Sequence, residues 1–253
     1  MNSTFVWFDL STTDLEGARA FYTELLGWQA EAHSMGGQDY TMWKAGGHTF
    51  GGMMPLHDDV KAMGVPPNWM GYVAVENVDA AVEKCRSLGG QVHVPGTDIP
   101  NTGRFAILSD PQGATIAVYG ESKSPMSEGF ESPCDWHELY SRDPDAAWSF
   151  YEAMFGWQKM DTMDMGPEHG VYQLFGKNDK MLGGIMRSPK EMAGVSAWTY
   201  YFRVADAHAS TERAKALGAQ ILHGPMQVPG GGWVTMMTDP QGAMFAVSGP
   251  GKA

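Results

Sequence analysis

Residues 14–28, DLEGARAFYTELLGW, return as residues 143–157, DPDAAWSFYEAMFGW. The common frame is Asp-(x)6-Phe-Tyr-(x)4-Gly-Trp, repeated 129 residues apart. Asp14 and Asp143 carry the short oxygen side chain that accepts from the first free N–H groups of a helix. Pro144 follows at the first helical position, where a missing N–H costs nothing. Leu15, Ala18, Phe21, Tyr22, Leu25 and Leu26 fall at helical spacing. Gly27 allows the left-handed turn that closes a helix. The stretch reads as one amphipathic helix used twice.

The same offset holds across nearly the whole chain. Trp7, Leu10, Trp69, Tyr72 and Val75 recur as Trp136, Leu139, Trp198, Tyr201 and Val204. Leu88-Gly89 recurs as Leu217-Gly218, and DPQGA at 110–114 recurs at 239–243. The glycine pairs of FGGMM (50–54) and LGGIM (182–186) depart from this register by three residues. Small loop changes therefore lie between Trp28 and Trp69. Such a period is duplication. Between the copies, ESKSPMSEGFESP is rich in Ser, Glu, Pro and Gly and has no periodicity, which is linker composition. The expected organisation is a first domain at 1–120, a linker at 121–133 and a second domain at 134–250.

Each copy alternates strand and helix signals. Residues 5–10, FVWFDL, read as a short aromatic strand ahead of the first helix. Strand candidates follow at 39–45, 48–54 and 70–76. A second helix over about 79–88 presents Ala81, Val82, Cys85 and Leu88 and stops at Gly89-Gly90. Strands at 91–94, 103–109 and 114–119 complete the copy. The expected fold class is α+β: two tandem domains, each of paired βαβββ modules whose sheet curves around a cavity. One module alone has too little core to stand.

Composition narrows the partners. The 253 residues carry a formal net charge of -12, with no basic run. That excludes a phosphate-neutralising nucleic-acid binder and an anionic membrane surface. No stretch of about 18 apolar residues exists to span a bilayer. The opening MNSTFVWFDL has no basic region and carries Asp9, so it does not read as a secretory signal. Cys85 and Cys134 are the two cysteines and occupy non-corresponding repeat positions, which fits a reducing cytoplasm.

The order of elements, the Asp-(x)6-Phe-Tyr-(x)4-Gly-Trp frame, the Leu-Gly-Gly or Leu-Gly-Ala helix ends and the closing Asp-Pro-Gln-Gly resemble the vicinal-oxygen-chelate superfamily. That group holds glyoxalase I, bleomycin-resistance proteins, fosfomycin-resistance enzymes and extradiol dioxygenases. The WFDL and WHEL openings look most like a two-domain, glyoxalase-like branch. The resemblance implies ligands drawn from the first and closing strands of each module. Those positions fall on Trp7, Gly51-Gly52, Met70 and Ala117 in one copy. In the other they fall on Trp136, Gly183-Gly184, Thr199 and Ala246. None supplies the imidazole or carboxylate that Zn, Ni or Fe requires, so no metal and no other cofactor is expected.

The eight histidines, His33, His48, His57, His93, His137, His169, His208 and His223, fall mostly in loops or at strand ends and read as surface or loop residues. His137 alternates with Trp136 and Glu138, so it faces away from them. What remains for a cavity is aromatic and acidic. The expected pocket holds Trp7, Asp9, Trp43, Met70 and Tyr72 in one copy. In the other it holds Trp136, Glu138, Tyr140, Tyr201 and Arg203. Asp9 and Glu138 are the candidates for ligand anchor or general base. A buried carboxylate is costly unless paired; Arg203 is the expected partner of Glu138, while the matching residue near Asp9 is Ala74. The same aromatics also read as core filling.

Three functions fit these residues. One is a metal-free protein that binds an aromatic or cationic small molecule. Another is a glyoxalase-like lyase, isomerase or dioxygenase/hydroxylase acting through the acids or a metal elsewhere. The third is a module for protein contacts. A fused pair of domains fits either a monomer or a homodimer.

Overall fold

The computed structural model describes residues 3–35, 38–120, 130–189 and 194–251, so most of the expected linker, 121–129, lies outside the described residues. The first copy contains β1 (Phe5–Thr12), α1 (Leu15–Leu26), β2 (Gln29–Met35), β3 (Gln38–Ala45), β4 (His48–Pro55), α2 (Asp58–Ala62) and β5 (Asn68–Ala74). It continues with α3 (Val78–Ser87), β6 (Gln91–Ile99), β7 (Gly103–Ser109) and β8 (Thr115–Gly120). The second copy opens with β9 (Cys134–Ser141), α4 (Pro144–Phe155), β10 (Gln158–Asp164), α5 (Gly166–His169), β11 (Val171–Lys177) and β12 (Lys180–Arg187). It closes with β13 (Ala197–Arg203), α6 (Ala207–Ala216), β14 (Gln220–Gln227), β15 (Trp233–Thr238) and β16 (Met244–Gly249). The class is α+β. The two long N-terminal helices, α1 and α4, form as their sequences dictate. Asp14 Oδ1 accepts from the Gly17 N–H at 3.0 Å and Asp143 Oδ1 from the Ala146 N–H at 3.1 Å. Gly27 and Gly156 close the helices at φ 68° and 63°. Strand β2 was not anticipated: its polar QAEAHSM gives no alternating apolar signal.

The chain packs as two compact units, and these units are not the two sequence copies. One consists of Trp7–Met70, Met126–Asp135 and Tyr200–Ala253; the other consists of Met1–Val6, Gly71–Pro125 and Trp136–Thr199. Each therefore takes the first half of one copy and the second half of the other.

The first of these, the Tyr22 unit, holds the strand order β2-β3-β4-β1 together with β14-β15-β16-β13. Helix α1 packs on β2, β4 and α6. Its core is aromatic: Tyr22, Trp28, Trp43, Trp69, Phe202 and Phe245 are all buried. Tyr22 and Trp28 stack with ring centroids 5.9 Å apart, and Trp28 meets Phe202 edge-on at 4.8 Å. At its centre the Tyr22 hydroxyl donates to Asp239 Oδ2 at 3.0 Å and accepts from Trp69 Nε1 at 2.9 Å. Asp239 Oδ1 in turn accepts from the N–H groups of Gln241 and Ala243 at 3.0 and 2.8 Å. The aspartate of Asp-Pro-Gln-Gly thus ties its own turn to the helix tyrosine of the other copy.

The second, the Tyr151 unit, repeats this design with β10-β11-β12-β9 and β5-β8-β7-β6. Trp198 Nε1 donates to the Tyr151 hydroxyl at 3.0 Å, and Asp110 Oδ1 accepts from the N–H groups of Gln112 and Ala114 at 2.8 and 3.0 Å. Tyr151 lies beside Asp110 and lowers its carboxyl pKa, against the larger effect of burial. Phe5, Trp157, Phe175 and Trp198 fill the space around Tyr151. Burial raises the carboxyl pKa of both Asp110 and Asp239 despite these bonds.

Candidate functional site

In each unit the first strand of a copy runs parallel to the strand carrying the glycine pair. Asp9 lies opposite Gly52 across β1 and β4, and Glu138 lies opposite Gly184 across β9 and β12. The first glycine of each pair lets the strands close up: a Cβ on Gly51 would sit 2.2 Å from the Phe8 carbonyl oxygen, and one on Gly183 1.8 Å from that of His137. The second glycine has another task. A Cβ on Gly52 would sit 1.9 Å from the Tyr40 hydroxyl, and one on Gly184 2.2 Å from the Tyr172 ring. Each is a seat on which a tyrosine from the neighbouring strand rests.

Those tyrosines meet the acids. In the Tyr22 unit, Asp9 Oδ1 accepts from the Tyr40 hydroxyl at 2.7 Å and from Trp7 Nε1 at 2.8 Å. Trp7 Nε1 also donates to the Tyr40 oxygen at 3.0 Å. In the Tyr151 unit, Trp136 Nε1 donates to the Tyr172 hydroxyl at 2.8 Å, and that hydroxyl donates to Glu138 Oε2 at 3.4 Å. Burial, and then the Glu138 charge, push the Tyr172 phenol well above its ordinary pKa. Asp9 and Glu138 are each 6% exposed, whereas Trp7 and Trp136 are half-buried. Hydrogen bonds from neutral donors offset part of the cost of burying each carboxylate. The result is the same tryptophan–acid–tyrosine cluster twice, with the indole as its outer face.

The structure therefore brings Trp7 together with Asp9, and Trp136 with Glu138. Tyr140, on β9, is buried opposite Met186. Other expected pocket residues stand elsewhere. Trp43 is fully buried on the helix-facing side of β3, against Tyr22 and Trp28, and so does not line the surface of Asp9. Strand parity decides this: Trp43 is an odd number of residues from Tyr40. Arg203 does not pair with Glu138. It bridges Glu131 and Asp135, each at 3.3 Å, and donates to the Ser132 carbonyl at 2.8 Å. The end of β13 leaves it exposed, where those nearer acids meet it. Met70 is half-buried and belongs to the Tyr22 unit with Tyr201, and Tyr72 belongs to the Tyr151 unit. Tyr72 and Tyr201 thus fall in the unit opposite to the acid of their own copy.

Two further differences from the sequence reading concern His137 and the tyrosines. His137 is not a surface residue: it is buried, stacks on Phe5 with centroids 3.8 Å apart, and places Nδ1 2.7 Å from the Leu182 carbonyl. Tyr40 and Tyr172 carry no local motif that marks them as site residues. The signal was present, because the two are 132 residues apart, the same shifted offset that the glycine pairs show.

The residues at the expected ligand positions do not fit a divalent ion. Indole, glycine, methionine, threonine and alanine bring no imidazole or carboxylate there. The cradle above Gly52, from which a ligand on β4 would point, is filled by the Tyr40 phenol. Among the described residues no three His, Cys, Asp or Glu side chains come together as a metal group. A surface groove of about 450 Å³ beside α1 and α6 offers no alternative centre, since its one acid, Glu24, pairs with Arg213.

The chain matches the family model described as the Glyoxalase/Bleomycin resistance protein/Dioxygenase superfamily at residues 4–118 and again at 134–247. It is 35% identical over 249 residues to the "Putative glyoxylase CFP32" of Mycobacterium tuberculosis (strain CDC 1551 / Oshkosh), covering 96% of this chain and 94% of that protein. It is 30% identical over 254 residues to the anthracycline biosynthesis protein DauV of Streptomyces sp. (strain C5), covering 95% and 91%. Among solved structures it is similar in fold to the Mn(II)-bound glyoxalase from Novosphingobium aromaticivorans, with a TM-score of 0.67, 14% identity and coverage of 99% and 83%.

Proposed function

Because the chain belongs to the Glyoxalase/Bleomycin resistance protein/Dioxygenase superfamily, we propose that it binds a planar aromatic small molecule on its tryptophan–acid–tyrosine clusters, without a resident metal. The observation that carries this reading is the duplicated cluster itself. Both copies keep a half-buried indole beside a buried carboxylate that a tyrosine holds in place, although the acid itself differs, Asp9 in one and Glu138 in the other. An indole face stacks on flat rings for about 0.5–1.5 kcal/mol beyond its buried area. A carboxylate next to it favours a ligand with a cationic or N–H edge. The similarity to an anthracycline biosynthesis protein supports a flat polycyclic ligand of the anthracycline class. The similarity to a putative glyoxylase favours a lyase instead; against a metal-dependent one stand the side chains at the ligand positions, which are poor donors for a divalent ion.

Quenching of tryptophan fluorescence by an anthracycline, checked by calorimetry on the same protein, tests the proposal. Saturable binding that Trp7→Ala combined with Trp136→Ala weakens at least tenfold is the expected result. Elemental analysis of protein purified without chelator runs beside it. Stoichiometric Mn, Fe, Ni or Zn, or binding indifferent to both tryptophans, overturns the proposal.

A further inference from the structure

The two clusters share their floor but differ in the wall beside it. Residues that are Cα partners across a strand pair project to the same side of the sheet, so the register locates each wall. In the Tyr22 unit, His33 lies opposite Tyr40, and Glu31 lies opposite Met42. Lys44 shares this face and is ion-paired to Glu31, while His33 Nε2 stands 3.9 Å from Glu31 Oε1. This wall is charged.

In the Tyr151 unit the same places carry thioethers. Met163 lies opposite Tyr172, where His33 faces Tyr40. It reaches that place because the β10–β11 register slips by one residue between Lys159 and Thr162. Gly176 stands where the other copy has Lys44, and a Cβ there would sit 3.1 Å from Met160 Cγ, so the Met160 side chain covers that glycine. Met181 is the Cα partner of Gly176, and Met186 that of Tyr140. Met160 and Met181 are 37% and 40% exposed, so their thioethers are open to a ligand on this face. Methionine is flexible and polarisable, and its sulfur contacts aromatic rings favourably.

We infer that the two sites are specialised: the Trp136–Glu138–Tyr172 site, walled by Met160, Met163 and Met181, takes the large flat apolar ring system, while the charged Glu31–Lys44 wall excludes it from the Trp7–Asp9–Tyr40 site. This rests on the binding function proposed above and adds which copy performs it. The occupant is a planar aromatic cation. Glu138 is the acid of that sheet face, and a cationic edge meets it while the thioethers cover the rings. The duplication thus leaves one site for this ligand class per chain.

Oxidative footprinting with an anthracycline as probe reads the site directly. Hydrogen peroxide converts exposed thioethers to sulfoxides, and each methionine is followed by mass spectrometry. Bound ligand is expected to slow oxidation of Met160 and Met181 at least fivefold and to leave Met63, 79% exposed in the other unit, unchanged. Calorimetry is expected to give one site per chain, weakened at least tenfold by Trp136→Ala and by Met160→Glu with Met163→His, the residues the other copy carries. Met63→Gln, at an exposed position of the other unit, leaves it intact. Loss of binding on Trp7→Ala alone, or two equivalent sites, overturns the specialisation while preserving the general binding function. Full affinity in the Met160→Glu, Met163→His variant likewise overturns the role of the thioether wall. No binding by the wild-type chain overturns the binding function itself.

Discussion

Replacing Tyr22 by phenylalanine removes one oxygen from the centre of its unit and leaves the ring in place. Two losses follow. The Trp69 N–H, which donates to that oxygen at 2.9 Å, is left without this partner in a site where Tyr22 is fully buried. A stranded buried donor costs about 1–3 kcal/mol. Asp239 loses the Tyr22 hydrogen bond at 3.0 Å, a charge-assisted contact of about 1.5–3 kcal/mol, but keeps two backbone donors. The second term is therefore discounted, and the expected destabilisation of Tyr22→Phe is about 2–4 kcal/mol. At roughly 2–4 °C per kcal/mol for a chain of this size, the melting temperature falls by about 5–15 °C. Urea unfolding followed by far-UV dichroism and tryptophan emission together measures it, since two units can unfold in separate steps. Trp69→Phe in the Tyr22→Phe background removes the stranded donor, so the double variant is expected to be less unstable than the two single losses added. A loss below about 1 kcal/mol for Tyr22→Phe, or strict additivity, refutes the view that this hydroxyl locks the two copies into one unit. Tyr151→Phe is the matching test in the other unit, where Trp198 is the stranded donor.

Stability also depends on pH through His137, which burial holds neutral with its pKa lowered to about 3. Unfolded, the ring takes up a proton near its ordinary 6.5, so the unfolded state binds more protons between those values. Stability is complete above about pH 6.5 and falls as pH drops, by about 1.4 kcal/mol per unit, or about 2 kcal/mol between pH 6.5 and 5. Urea titrations at those two pH values read this, and His137→Asn removes that difference if the account is right; an unchanged slope counts against it. The glycine pairs separate two kinds of closeness. Gly51→Ala drives a Cβ into the Phe8 carbonyl at 2.2 Å and is expected to cost several kcal/mol, visible as poor soluble yield. Gly52→Ala meets only the Tyr40 side chain, so the protein folds with about 1–3 kcal/mol less stability, and the Trp7 emission changes as Tyr40 leaves Asp9. Equal effects of the two substitutions are inconsistent with the tyrosine-seat geometry.

The duplication, the aspartate caps, the closing glycines and the α+β class were all legible in the chain itself. Each follows from local chemistry: a cap needs a side-chain oxygen at one position, and an amphipathic helix needs apolar residues at a fixed spacing. The pairing of Trp7 with Asp9 and of Trp136 with Glu138 was also legible, because strand alternation puts neighbours two apart on one side. The partners on adjacent strands were not. Tyr40 and Tyr172 reach the acids across a register that a bulge and a three-residue shift set, and Arg203 chose Glu131 and Asp135 over Glu138. The division of the chain lay deeper still. Both copies carry the same Asp-Pro-Gln-Gly turn and the same Phe-Tyr helix, so any pairing of their halves satisfies the pattern equally. Only the folded chain selects the arrangement in which Asp239 holds Tyr22 and Asp110 lies beside Tyr151, each across the repeat. Local periodicity records which face of an element is buried; it holds no record of which copy does the burying.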